Sequence, residues 1–525
     1  MVTNVSVERA VSEGAVHWDP YDPRYFANPY PVFRRLREEA PLYYNEQYDF
    51  YAVSRYEDVV RTLGDRDTFI SARGDILEFI KHNTPMPPGM FIYEDPPLHT
   101  IHRGILTRVF TPKKMNALEP QIRAFCADAL DPLVAGGEFN FIDDLGAEMP
   151  MRVIGMLLGI PDEDLKKVQH FVDQSLSTEP GKPMDTSGAS LGGDVYADYI
   201  DWRAKNPSND LMTELLNVEF VDETGTTRKL RREEVLTFIG ILAGAGNETT
   251  NRLIGWTGKT LAGHPDQRRQ IHENRGLIPQ AIEEILRFEP PGPAVSRYVA
   301  RDTEFYGTKV PEGSAVVGIS AAANRDERKF ANGDSFDIHR ERVPHLSFGY
   351  GFHNCLGNAL ARIEGRVALD EILKRFPDWE IDLDNARLSS TSSVRGWETL
   401  PAYAPNAKRG TRRPKAVAPE TPAPVPAGAE TWKMTLKTPM GPQEMTAHLI
   451  RQGDSLSGRV DSPAGSETIH DGKVAGDVLT WILNVKKPMP IQLTFEVKVQ
   501  GDLMTGSAKL GMFGSAELTG ARVRS

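Results

Sequence analysis

Residues 345–362 read HLSFGYGFHNCLGNALAR, and this stretch decides the fold. Phe348, Gly349, Gly351, His353, Cys355 and Gly357 form the frame F-G-x-G-x-H-x-C-x-G. Glycines on both sides of Cys355 permit tight turns and close approach to a flat group. Ala359 to Arg362 read as the opening of a helix, so the thiol sits beside a helix N-terminus. The free N–H groups and the dipole there favour thiolate over thiol.

The other cysteine, Cys126, lies in the helical run QIRAFCADAL and reads as a small buried hydrophobe. A thiolate in an apolar pocket, by contrast, is a haem-iron ligand that favours O–O cleavage. The frame around Cys355 resembles the cytochrome P-450 family of haem-thiolate monooxygenases. The resemblance extends over about residues 18–403 and leaves about 429–525 outside it. It implies a mainly α haem-thiolate fold with small β-sheets, and haem b as the cofactor.

Composition narrows the alternatives. A chain of 525 residues exceeds one ordinary core and predicts two or more domains. A net charge of −11 argues against non-specific nucleic-acid binding. Two distant cysteines leave no disulfide framework, which fits a reducing cytoplasm. The first twenty residues hold no apolar run that suits a signal peptide or membrane anchor.

Along the chain, PYPVFRRLREEA predicts a short helix, and LYYNEQYDFYAVSRY a hairpin turning at Glu46-Gln47. Residues 70–97, rich in Pro and Gly, predict an irregular loop, which the resemblance lays over the substrate pocket. Residues 115–175 predict helices, one opening at Pro161, and 178–194 a loop in the substrate-channel lid. The longest helix is expected over Leu230–Gly263. Its centre, IGILAGAGNETTNRLIGW, carries Gly240, Gly244 and Gly246 at about 1 kcal/mol each relative to alanine. So many breaches of helix propensity in one segment point to a site.

Ala245, Gly246, Glu248, Thr249 and Thr250 match the family's oxygen-activation motif A-G-x-[DE]-T-T. The resemblance gives Thr249 a hydrogen bond to dioxygen and Glu248 a proton relay. Threonine back-bonding in a kinked helix is the plainer reading. His99 and Arg103 are four apart and share one helix face; on spacing alone they read equally as a solvated basic face. The resemblance makes them haem-propionate partners, together with Arg297 and His353. It makes Glu284, Arg287 and Arg340 a structural ion-pair set behind the thiolate loop. Ala243, Ala294, Val295 and Val394 are expected to face the substrate.

A basic, then Pro/Ala-rich linker is expected over 404–428. Beyond it, segments such as TWKMTLKT, LTWILNVK and IQLTFEVKVQ alternate apolar and polar positions. Gly453-Asp454, Gly476-Asp477 and Gly501-Asp502 recur at intervals of 23 and 25 residues. They predict a small all-β antiparallel barrel or meander of seven to nine strands over 429–525, similar in patterning to lipocalin-like barrels. It has no cysteine for an iron–sulfur cluster and no G-x-G-x-x-G fingerprint.

The resemblance therefore implies hydroxylation of a lipophilic small molecule, with NAD(P)H electrons arriving through a separate ferredoxin and ferredoxin reductase. Arg108, Lys113, Lys114 and Arg362 are candidate docking cations, and the tail a binding or interaction module. A peroxide-driven peroxygenase and a non-enzymatic haem sensor or ligand carrier stand as rivals. Glu248-Thr249 argues against both.

Overall fold

The computed structural model describes residues 14–161, 164–166, 168–169, 178–186, 196–391, 393–405, 429–438, 441–462, 465–485, 491–510 and 515–523. The chain divides into two compact units, Met1–Arg412 and Arg413–Ser525.

The first unit is mainly helical. Helix α1 (Tyr30–Glu39) turns Val32, Phe33 and Leu36 inward at helical spacing. The expected hairpin is β1 (Leu42–Asn45) and β2 (Phe50–Val53), antiparallel. With β3 (Phe69–Ile70), β4 (Val295–Val299) and β5 (Ala315–Gly318) they form a sheet in the order β1-β2-β5-β4-β3. Only the β2–β5 pairing within it is parallel. The segment 70–97, read as irregular, contains helix α2 (Leu77–His82), which buries Leu77, Phe79 and Ile80 despite its flanking prolines and glycines. Helix α3 (Leu98–Thr107) follows Pro97.

Helix α4 (Glu119–Leu130) buries Cys126 completely, and burial pushes that thiol up to about 12. The stretch 115–175 is not all helix: it includes strand Glu138–Asn140 and a π-helical turn over Phe141–Gly146. The expectations for residues 162–163, 167, 170–177 and 187–194 fall outside the described residues.

Helix α5 (Arg232–Gly263) spans 32 residues and carries the glycine-rich centre. Its start is fixed by Glu234, whose carboxylate accepts the Arg231 N–H at 2.7 Å and pairs with Arg228 at 2.8 Å. Acids suit a helix N-terminus because of the dipole. Helix α6 (Ile278–Phe288) and helix α7 (Asn358–Arg375) pack against α5. Thr250 of α5 donates to Glu364 of α7 at 3.1 Å, a buried tie between the two. None of the described helices is long and apolar enough to cross a membrane.

The second unit is a closed barrel of eight antiparallel strands. They are β6 (Glu430–Thr438), β7 (Gly441–Gln452), β8 (Ser455–Ser462), β9 (Gly465–Ala475), β10 (Val478–Val485), β11 (Ile491–Gln500), β12 (Leu503–Leu510) and β13 (Ser515–Arg522). Pairing of β6 with β13 closes it and leaves no edge strand. Period-two alternation sends Trp432, Met434, Leu449, Trp481, Phe495, Val497, Met504 and Leu518 into one apolar core. Trp481 and Phe495 stack with ring centroids 4.8 Å apart. Gly453, Gly476 and Gly501 have φ of 59°, 62° and 63°. Each is the first residue of a two-residue hairpin loop, where a positive φ is needed and glycine supplies it freely. Strand β9 has no segment of its own in the alternation pattern, because its register shifts between His470 and Lys473 around Asp471 at φ 49°.

All but two residues of the expected linker, 404–428, fall outside the described residues. Ala404 still donates to Gly137 O at 2.7 Å, so unit 1 runs at least that far.

Candidate active site

The loop before α7 is shaped by backbone hydrogen bonds. Cys355 N–H donates to Phe348 O at 2.8 Å, and Gly349 N–H to Leu346 O at 2.9 Å. Gly349 and Gly351 take φ of 69° and 70°, and a Cβ on Gly351 would press on Leu63 O at 3.3 Å. Gly357 caps α7, and Asn358 Nδ2 holds Cys355 O at 2.6 Å. The Cys355 thiol is half-buried and stands two residues before the cap. The helix terminus pulls the thiol down as expected, through the Gly357 N–H, but burial outweighs it. Burial pushes the Cys355 thiol up, against the Gly357 N–H and the cations Arg103 and Arg362, which pull it down. A coordinating metal cation deprotonates such a thiol outright.

Four predicted basic residues meet beside this loop. The His99 and His353 rings lie 4.1 Å apart, centroid to centroid. Arg103 donates to Asn354 O, one residue from the cysteine. Arg297 is buried on β4 and donates to Ser296 O at 2.9 Å. Burial, then His99 and Arg297, lower His353 to about 2; burial, then Arg103 and His102, lower His99 to about 4. Among the described residues, neither ring nitrogen of the buried His99 has a hydrogen-bond partner. Buried polar groups are otherwise nearly always paired. This set fits a group that brings its own carboxylates, as haem brings two propionates.

On α5, Ala245 is exposed and Thr249 half-buried, one turn apart, with the half-buried Ile241 on the same face. Thr249 Oγ1 donates to Ala245 O at 2.8 Å, the back-bond that its position allows. Glu248 is buried and paired with Arg252 at 2.7 Å. Arg252 in turn donates to Trp397 O and to Ser389 Oγ.

Two assignments on α5 are corrected. Gly246 is explained by packing: a Cβ there would meet Ile154 Cδ1 at 3.1 Å, so its bareness admits a neighbouring helix and not a flat cofactor. Ala243 is fully buried in the helical core, about 200° round the helix from Ala245, so it does not share the open face; Ile241 does.

Ile241 packs on a cluster that sequence reading missed: Ile76, Phe79, Met90, Tyr93 and Met184. Its members sit on α2 and in loops, and no spacing rule joins them. Ala294 and Val295 are half-buried before and on β4, and Val394 is buried.

Behind the loop, Glu284 and Arg287 form a buried two-point pair, both contacts at 2.7 Å, and Arg340 adds a third at 3.1 Å. Arg287 also donates to the carbonyls of Asn324 and Gly333. A groove of about 760 Å³ opens on this side, lined by Phe348, Asn358, Arg342, Arg362 and Arg366. Arg108, Lys113 and Lys114 are exposed. Arg362, expected among the docking cations, is engaged instead: Glu283 holds it at 2.6 Å and it stacks over Phe348 at 4.4 Å.

The family model "Cytochrome P450" matches residues 157–396. Putative cytochrome P450 123 of Mycobacterium tuberculosis is 35% identical over 390 residues, 73% of this chain and 96% of that protein. The vitamin D(3) 25-hydroxylase of Pseudonocardia autotrophica is 32% identical over 394 residues, 74% of this chain and 96% of that protein. The structure of a P450 EryK mutant in complex with erythromycin B superposes with a TM-score of 0.65 at 31% identity, covering 74% of this chain and 98% of that one. A cysteine loop at the head of α7, a basic cradle beside it and relatives matched almost end to end converge on one identification: the chain belongs to the cytochrome P450 family of haem-thiolate monooxygenases.

Proposed function

We propose that unit 1 hydroxylates a lipophilic small molecule at a haem held by Cys355. Electrons would come from NAD(P)H through a ferredoxin and its reductase. The observation that carries this reading is the juxtaposition of the Cys355 loop with the unpartnered His99 and its basic neighbours. When bound, haem supplies reductive activation of dioxygen.

The chain's own residues do the rest. His99, Arg103, Arg297 and His353 hold the propionates, and Phe348, Gly349 and Gly357 shape the loop that presents the thiolate. Ala245 leaves room beside the haem face. Thr249 gives its proton to Ala245 O and keeps its oxygen lone pairs for a donor in the pocket. Glu248 relays protons when its carboxylate leaves Arg252 and turns toward Thr249. Glu284, Arg287 and Arg340 hold the scaffold behind the loop and touch no reactant.

Ile241, Ile76, Phe79, Met90 and Met184 pack as one apolar cluster; together with Ala294, Val295 and Val394 they would exclude water and select a lipophilic substrate. Among similar proteins, one is named for hydroxylating vitamin D(3) and one is a P450 EryK mutant in complex with erythromycin B. Arg108, Lys113 and Lys114, exposed cations that flank the groove-lining Pro112 in sequence, suit an acidic electron donor. The two unpaired cysteines suit a reducing cytoplasm. The barrel serves as an interaction module: its core is filled by its own side chains, which argues against a ligand held in the lumen.

The test is turnover of wild type and Thr249→Ala with a ferredoxin system, a lipophilic panel and labelled dioxygen. Wild type should place one labelled oxygen atom in the product. Thr249→Ala should consume oxygen and reductant but release peroxide. Label absent from every product, or unchanged coupling in Thr249→Ala, would count against the reading.

A further inference from the structure

We propose that Glu94 is a positioning residue for the haem-propionate cradle, acting through His102 and His353. The inference rests on the reading of unit 1 as a haem protein and adds two residues to it. Glu94 follows the short 3-10 turn Phe91–Tyr93 and precedes the Asp95-Pro96-Pro97 turn into α3.

Two bonds leave Glu94 in different directions. Its carboxylate lies 2.8 and 2.9 Å from His102 Nδ1. Its backbone carbonyl lies 3.0 Å from His353 Nε2. Carboxylate and carbonyl oxygens only accept, so the imidazole nitrogen is the donor in both. Glu94 therefore ties α3 to the cysteine loop at one point. His102 shares α3 with His99 and Arg103, and His353 lies against His99.

The pair is built into the interior. The His102 side chain is 1% exposed and that of Glu94 11%. Phe220 and Phe238 stand edge-on to the His102 ring at 5.9 and 5.5 Å. Next to it, Asp95 fixes the same turn by accepting the N–H groups of Ser71 and Ala72, both at 3.0 Å. An unpaired carboxylate in such a site is costly, so each partner holds the other in one rotamer. Neither residue touches a reactant. Their effect reaches the cofactor through the orientation of His353, His99 and Arg103, as outer-shell partners orient the ligands of metal sites.

The experiment measures haem loss from the full-length holoprotein to excess apomyoglobin. Glu94→Ala should lose haem about tenfold faster than wild type. Glu94→Gln keeps an acceptor oxygen for His102 and should stay near wild type. Leu130→Ala, a core change in α4, which carries none of the cradle residues, controls for general destabilisation and should lose haem more slowly than Glu94→Ala. If Glu94→Ala does not fold, His102→Phe, which keeps the aromatic packing, carries the same expectation. Loss from Glu94→Ala at the wild-type rate, or equally fast loss from Leu130→Ala, overturns the inference. Failure of wild type itself to bind haem would instead overturn the reading of unit 1.

Discussion

The two units bury different things. Unit 1 encloses ionisable groups throughout: Glu248 with Arg252, Glu284 with Arg287, the buried arginines Arg297 and Arg325, and the carboxyl of Glu364. Among the described residues of the barrel, His448 is the one buried polar side chain that is not an indole. It is paired with Thr431 at 3.0 Å and Asp461 at 3.1 Å. Burying charge costs several kcal/mol per ion unless it is paired, so a fold keeps buried charge where it has chemistry to position or a unique geometry to hold. The barrel folds around a core of apolar side chains, and its ion pairs, Arg451 and Arg522 with Glu430 and Arg459 with Asp461, are half-buried. Chemistry in one unit and packing in the other is the contrast to test.

Its sharpest break is Cys355→Ser. Reduced wild type with carbon monoxide should show the strongly red-shifted band of thiolate-ligated haem, and the variant should lose it entirely. Cys126→Ser should keep it, since Cys126 is buried in α4. The reverse pattern would move the thiolate to the other cysteine.

Next in size is Trp481→Ala, which removes half of the stacked pair in the barrel core. It should destabilise the barrel by about 3–5 kcal/mol. Denaturant unfolding should show an early barrel transition while the haem band and its midpoint stay put. A joint shift of both transitions would mean that the units fold as one.

A smaller effect per pH unit probes a buried carboxyl in unit 1. Burial raises Glu364 to about 8, against the lowering hydrogen bond from Thr250. Between pH 4.5 and 8 the folded carboxyl holds a proton that the unfolded chain has released. Stability therefore falls as pH rises through this window, by up to about 1.4 kcal/mol per pH unit. Glu364→Gln cannot ionise and should flatten the dependence, read as unfolding midpoints at successive pH values. Parallel profiles for wild type and variant would mean that Glu364 is ionised when folded.

The same contrast explains what could be read from sequence. The Cys355 loop is legible because its positions are fixed by local needs, namely positive φ at Gly349 and Gly351 and a thiol before a cap. Most barrel strands are legible because alternation is local too; β9 is not, because a bulge breaks its period. Gly246 and Ala243 mislead because the glycine-rich centre of α5 has two kinds of face, one packed on Ile154 and one accessible at Ala245. Glu94 and His102 carry no motif. Their pairing depends on the turn between them, and the His353 contact spans 259 residues. The apolar lining at Phe79, Met90 and Met184 is assembled from separate segments and has no period.

The most direct test is the carbon monoxide spectrum of a chain truncated after Pro405. Ala404 makes the last described backbone bond of unit 1, so this cut removes the barrel without opening the haem unit. The truncated chain should bind haem, show the red-shifted thiolate band, and lose that band with Cys355→Ser. Failure of the truncated chain to take up haem, while the full-length protein does so, would contradict the division of labour between the two units.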